Sequence, residues 1–191
     1  ARARAYSFPL MALGAGAACG GFCKLFGGSW LDFLLTAVCA VFGFYVRRAC
    51  TRYGFNPYAV IAITSFAATY LAYCTQFITG SVNWYPMIAC TLFLVPGVPL
   101  INAVDDFLNS FIVSGMTRAL HTLLVTGSMT FGIVIAVRLG GVADFTSVSL
   151  QPDNIYLSQA IAAAIASVGF SLIFNVPKRL LPVVAVGGII T

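Results

Sequence analysis

Six stretches of this chain are apolar over enough consecutive residues to cross a bilayer, and that property constrains the fold more than any motif does. A hydrocarbon core of roughly 30 Å takes on the order of 20 residues of helix. Runs of that length fall at 8–26, 30–47, 57–77, 84–104, 116–139 and 155–174. A seventh starts after Pro182 and stops with the chain. Only 8% of the 191 residues are charged, too few to cover the rim of a water-soluble domain of this size. The expected fold class is therefore all-α, a polytopic transmembrane helix bundle of about six spans plus a truncated seventh.

Short turn-forming segments separate the runs at 27–29, 51–56, 79–83 and 109–115, with a longer one at 140–154. Counting Lys and Arg by side gives Arg2, Arg4, Arg47, Arg48, Arg52, Arg118, Lys178 and Arg179 on one face, against Lys24 and Arg138 on the other. That asymmetry predicts a cytoplasmic N-terminus, and a missed or invented span would scramble it. Trp30, Trp84, Tyr85, Tyr53, Tyr58 and Tyr156 fall at span ends, where amphipathic rings sit at headgroup level. The net charge of +5 is spread between the runs, with no basic patch, so no nucleic-acid partner is expected.

Small residues four apart in the first run (Ala12, Gly16, Gly20) and the sixth (Ala160, Ala164; Ala163, Ser167) predict close helix packing. Six scattered cysteines (Cys19, Cys23, Cys39, Cys50, Cys74, Cys90) read as buried thiols. Thr64, Ser65, Thr69, Thr126, Ser128 and Thr130 are expected to bond helix carbonyls or neighbouring helices. Neither a Ser/His/Asp set, nor a metal cluster, nor a phosphate loop stands in the sequence, so neither an enzyme nor a cofactor is expected.

The fourth run carries the candidate site. Pro96, Gly97 and Pro99 lie within four residues of one another and should break the helix. Eleven residues from Tyr85 at 1.5 Å each place Pro96 about 16 Å inward, near mid-membrane. Irregular backbone at that depth is tolerated only against protein or a wet cavity, and discontinuous helices of this kind build transporter sites. Pro99 suits the first turn of a new half-helix, whose amides could hold a carboxylate. On it Asn102, Asp105, Asp106 and Asn109 form one polar face, expected to line a cavity or the cytoplasmic mouth, opposite Leu100, Ile101, Val104, Leu108 and Phe111. Asp105 or Asp106 is the candidate for proton coupling, since desolvation favours the neutral carboxyl form. Both aspartates could equally be solvated at the cytoplasmic surface. His121, with no partner in view, is a candidate proton relay or a packing residue. Lys24 is expected to snorkel to the outer interface, or to attract an anionic substrate.

Cys23-Lys24-Leu25 with Gly27-Gly28, the run Leu94 to Val104 and Gly115-Met116-Thr117-Arg118 resemble the threonine/serine exporter (ThrE) family, in its YjjP-type membrane half. Ser167-Val168-Gly169-Phe170 with Phe174-Asn175-Val176-Pro177 resembles the opening of the partner half, of YjjB type. The resemblance implies a secondary transporter of two five-helix halves, each with a proline-glycine break, exporting threonine and serine or, in the paired type, succinate. It implies a bacterial inner-membrane location.

The expected domains are a first five-helix half at 1–142, an extracytoplasmic linker at 143–154 and the start of a second half at 155–191. Both ends read as cut. The expected function is proton-coupled export of a small carboxylate metabolite, with a passive pore or a structural membrane subunit as rivals. Expected partners are the lipid bilayer, the remaining second half or a partner subunit, and further copies of the chain in a homo-oligomer.

Overall fold

The computed structural model describes residues 6–80, 84–141 and 156–190, and among these it is helical with no strand. The expected linker at 143–154 and the basic residues Arg2 and Arg4 lie outside the described residues. Helix α1 (Phe8–Leu25) opens with Pro9 in its first turn, where a missing N–H costs nothing. Helix α2 (Trp30–Arg52) is fixed by a capping box: Asp32 donates its N–H to Ser29 Oγ at 3.1 Å, and Asp32 Oδ2 accepts from the Ser29 N–H at 2.8 Å. Asn56 caps α3 (Pro57–Cys74), accepting from the Tyr58 N–H. After one turn, α4 (Gln76–Thr79), come α5 (Trp84–Ala89), α6 (Gly97–Leu108) and the long α7 (Ile112–Leu139). Helices α8 (Tyr156–Ile173) and α9 (Leu181–Ile190) complete the described chain.

Helices α1, α2, α7 and α8, and α3 with α4, are long and apolar enough to cross a membrane, and the pair of α5 and α6, bent by 57°, has the composition of a sixth span that is either broken or re-entrant. The fold is a polytopic helical bundle, as the apolar runs predict. The fifth span begins at Ile112, four residues ahead of the expected start, because the turn after α6 needs only Asn109, Ser110 and Phe111. Ser110 takes the left-handed φ of 64° that closes so short a turn.

Packing is set by small residues. On α1, Gly16 faces Ala37 and Val41 of α2 and Gly20 faces Phe33, so the expected four-residue stripe is the α1–α2 seam. A second stripe, Gly14 and Gly21, meets Gly169, Leu172, Ala162 and Ala166 of α8, and α1 packs most extensively on that helix. Ala163 and Ser167 lie against Gly188 of α9. Helices α3 and α7 run parallel, since Tyr58 meets His121, Ala62 and Ser65 meet Gly132, and Tyr73 meets Gly140.

Helix α6 returns antiparallel along the start of α7, with Phe107 and Ala103 against Gly115. Nine residues of α7 precede His121, so this α6–α7 hairpin extends about 13 Å past the start of α3.

The expectation for hydroxyls holds in part. Ser65, Thr126, Ser128 and Thr130 donate to carbonyls three or four residues back in their own helices. The hydroxyls of Thr64 and Thr69 are buried without a hydrogen-bond partner among the described residues. The six cysteines are free, four of them fully buried.

Candidate functional site

The fourth span breaks, and it breaks earlier than its prolines require. Helix α5 ends at Ala89. Cys90 Sγ donates to the Met87 carbonyl at 3.5 Å and Thr91 Oγ1 to that of Ile88 at 3.3 Å, side-chain bonds that compete with helical ones. A single 3-10 turn, Leu92–Leu94, follows before Pro96 and Gly97 start α6 in a new direction. The segment is enclosed by α1, α2 and α3, and Met87, Cys90, Phe93 and Leu94 are buried. Phe93 packs against Phe44, two thirds of the way along α2, with the rings tilted by 57° and their centroids 5.9 Å apart.

Beside the break lies a cavity of about 810 Å³ whose floor and walls are Phe93, Leu94, Val95, Pro96, Gly97, Val98 and Pro99 together with Phe44, Val60, Ile61 and Val125. Phe8 of α1, Arg47, Arg48 and Arg52 of α2, Phe55, Tyr58 of α3, His121 of α7, and Ile173 with Phe174 at the end of α8 also line it. The volume is within the range of small-molecule sites. Arg48 is partly immobilised, its guanidinium carbon 3.8 Å from the Phe8 ring centroid, a contact worth about 0.5–2 kcal/mol.

Of the residues singled out from sequence, Pro96, Gly97, Pro99 and His121 meet at this cavity. His121 is not without a partner: its Nδ1 and the Tyr58 hydroxyl are hydrogen-bonded at 3.0 Å, joining α3 to α7. Tyr58→Phe, which leaves the ring in place, is expected to cost about 0.5 kcal/mol, because the bond is exposed. A fall of ~1–2 °C in the melting temperature of the purified protein would register it.

The other candidates stand apart from this cavity. Lys24 is 5% exposed at the end of α1, with its ammonium 5.9 Å from the Trp30 ring centroid. Asp105, Asp106 and Asn109 do not line the main cavity, because the break turns α6 away from the bundle axis onto α7. Asp106 Oδ2 accepts from Ser114 Oγ at 2.6 Å and pairs with Arg118 Nε at 3.3 Å, while Asp105 Oδ1 accepts from Asn109 Nδ2 at 3.2 Å. Asn102 lines a smaller cavity that shares Tyr58, Pro99 and His121 with the first and adds Thr117 and Arg118.

The cradle of amides expected at the start of α6 is also thin. Gly97 donates to the Val95 carbonyl at 2.9 Å, Pro99 has no N–H, and Leu100 donates to that of Pro96 at 3.1 Å.

The residues missed from sequence are Arg47, Arg48 and Arg52, which by count and side mark only topology. Their signal was present: with Phe44 and Thr51 they recur at i, i+3, i+4, i+7 and i+8, one face of a helix that runs past the expected end at Arg47.

Comparison with known proteins agrees with this architecture. The sequence matches the model of the ThrE family, described as "Putative threonine/serine exporter", over residues 1–140. It is similar to the "Probable succinate transporter subunit YjjP" of Escherichia coli (strain K12), 34% identical over 134 residues, covering 69% of this chain and 52% of that one. The protein of the same name from Klebsiella aerogenes is 32% identical over 134 residues, with the same coverage of each chain. The chain thus spans about half the length of the curated relatives it matches. No solved structure matches it. The matched residues run from α1 to the end of α7 and contain the whole proline-glycine break, so this chain belongs to the ThrE family.

Proposed function

We propose that the chain is the membrane-embedded part of a secondary transporter exporting a small carboxylate metabolite across the bacterial inner membrane, with proton coupling. The observation that carries this reading is the bent, proline-broken α5–α6 segment, whose non-helical residues line a protein-walled cavity. The relatives' printed names, a succinate transporter subunit, point the same way. The cavity lies at the end of the bundle that carries Arg47, Arg48, Arg52, Lys178 and Arg179. By the positive-inside rule that end is cytoplasmic, so substrate loads from the cytoplasm.

The remaining half of the transporter, on a longer chain or a partner subunit, supplies the other side of the pathway. Residues 1–142 form one half and 155–191 begin the next, with Ile173 and Phe174 already bordering the cavity.

Coupling is assigned to the α6 carboxylates, Asp106 above all. Protonating Asp106 would release Arg118 and Ser114 and so loosen α6 from α7. Asp105→Asn and Asp106→Asn are expected to slow proton-driven export at least tenfold in one case or the other; export rates equal to wild type in both would end this assignment. Transport itself is tested by efflux of preloaded succinate and threonine from cells carrying the complete protein. Export against a gradient that collapses with an uncoupler supports a transporter, whereas uphill export never occurring would favour a pore.

A further inference from the structure

We infer that Arg47, Arg48 and Arg52 form, within this cavity, an anion site that takes a small metabolite carrying two negative charges and rejects a zwitterionic amino acid. The inference rests on the transport reading and specifies its substrate and the residues that hold it.

The arginine face of α2 is what sets this cavity apart. Three arginines line one chamber, and among the described residues no Asp or Glu lines it with them. No ion pair involves any of the three among the described residues, whereas Arg118, outside the chamber, is paired with Asp106. The rest of the wall is aromatic and aliphatic: Phe8, Phe44, Phe55 and Phe93 among others. Positive charge beside apolar walls is poorly screened, so an entering anion is attracted more strongly than at an open surface.

A purely topological role explains Lys178 and Arg179, which line no part of the chamber. It does not explain a stripe of α2 turned against the break.

The charge balance decides the substrate class. A dicarboxylate offers two planar groups, each matched to an arginine fork, and its double charge is met by a surplus of cations. A neutral amino acid brings one carboxylate and one ammonium, and the ammonium would sit among three guanidiniums with no carboxylate to receive it. The nearest candidates on α6, Asp105 and Asp106, are committed to Asn109, Arg118 and Ser114 on the hairpin. Because the α6 amides are mostly spent within the break, the arginines are the principal anion donors. Arg47 and Arg52 are the selecting residues; Arg48, held on Phe8, contributes charge from a more fixed position.

The test is equilibrium binding of radiolabelled succinate and threonine to the complete protein in nanodiscs of phosphatidylcholine alone. Succinate is expected to bind and threonine to bind at least tenfold more weakly. Arg47→Ala and Arg52→Ala should each weaken succinate at least tenfold, Arg47→Lys and Arg52→Lys should recover part of that loss, and Arg179→Ala should stay within twofold of wild type. The lysine variants keep the charge, so they answer the question if an alanine variant does not fold. Threonine binding as tightly as succinate, or succinate binding unchanged in the Arg47 and Arg52 variants, would overturn the dianion site and leave carboxylate transport standing. No binding of either solute by wild type would overturn both. Loss of succinate binding on adding phosphatidylglycerol would assign the arginines to lipid phosphates and overturn the site.

Discussion

Gly132→Ala is expected to prevent α7 from seating on α3 and to leave little folded protein in detergent. The added methyl would fall onto the hydroxyl of Ser65 and the carbonyl of Ala62, with the Phe66 backbone nitrogen 2.9 Å away. Two of those three are backbone, which cannot rotate aside, so the helices must separate along the whole interface. Overpacking of this kind costs about 1–3 kcal/mol and sometimes more, and the ~1 kcal/mol that alanine gains over glycine in helix propensity offsets only part of it. Gly127 lies five residues earlier on the same helix, and a methyl added there would meet nothing within 4 Å, so Gly127→Ala should keep or raise stability. Thermal unfolding of the two variants, followed by size-exclusion of the heated protein, makes the comparison. Equal melting temperatures would mean that α7 does not pack on α3 through Gly132.

Straightening the fourth span should abolish transport without abolishing the fold. The triple variant Pro96→Ala, Gly97→Ala, Pro99→Ala restores two amide donors and removes residues that each disfavour helix, prolines by about 3 kcal/mol. Helix α6 would then continue along the axis of α5, and the chamber beside the break would close. Space permits the change at Gly97, where an added methyl meets nothing within 4 Å. Succinate efflux is expected to fall at least tenfold, while the yield of folded protein stays within about a third of wild type. Transport at the wild-type rate would separate the break from function. Because α5 already ends at Ala89 through the Cys90 and Thr91 side-chain bonds, adding Thr91→Ala should deepen the loss.

Much of the bundle was legible in the residues. The long apolar runs and the proline-glycine cluster are properties of consecutive residues, and the helices stand close to where they put them, although α2 runs on to Arg52, α7 starts at Ile112 and α5 stops already at Ala89. Pro96 to Pro99, expected near mid-membrane, share their cavity with Tyr58 at the start of α3 and Arg47 to Arg52 at the end of α2. The stripe Ala12, Gly16 and Gly20 likewise named a real seam, that of α1 with α2. The sequence could not say that Gly14 and Gly21 make a second seam with α8, because a four-residue spacing marks a close approach without naming the partner.

The site divides along the same line. Pro96, Gly97 and Pro99 were visible because chain stereochemistry alone dictates a break. The number and side of the arginines are linear features, but their convergence on the break depends on the rotation of α2 against α5. His121 gained Tyr58 from a helix 63 residues away, and Asp106 gained Arg118 only because α6 folds back on α7.

What the sequence determined by itself is therefore the membrane, the helices and the fact that one of them must break, since hydropathy and proline geometry act over a few neighbouring residues. Which faces meet, which charges pair among the described residues and what the broken helix opens onto were decided only in the tertiary structure. Those depend on small-residue contacts between distant segments, where a small rotation of one helix changes which side chains share a chamber.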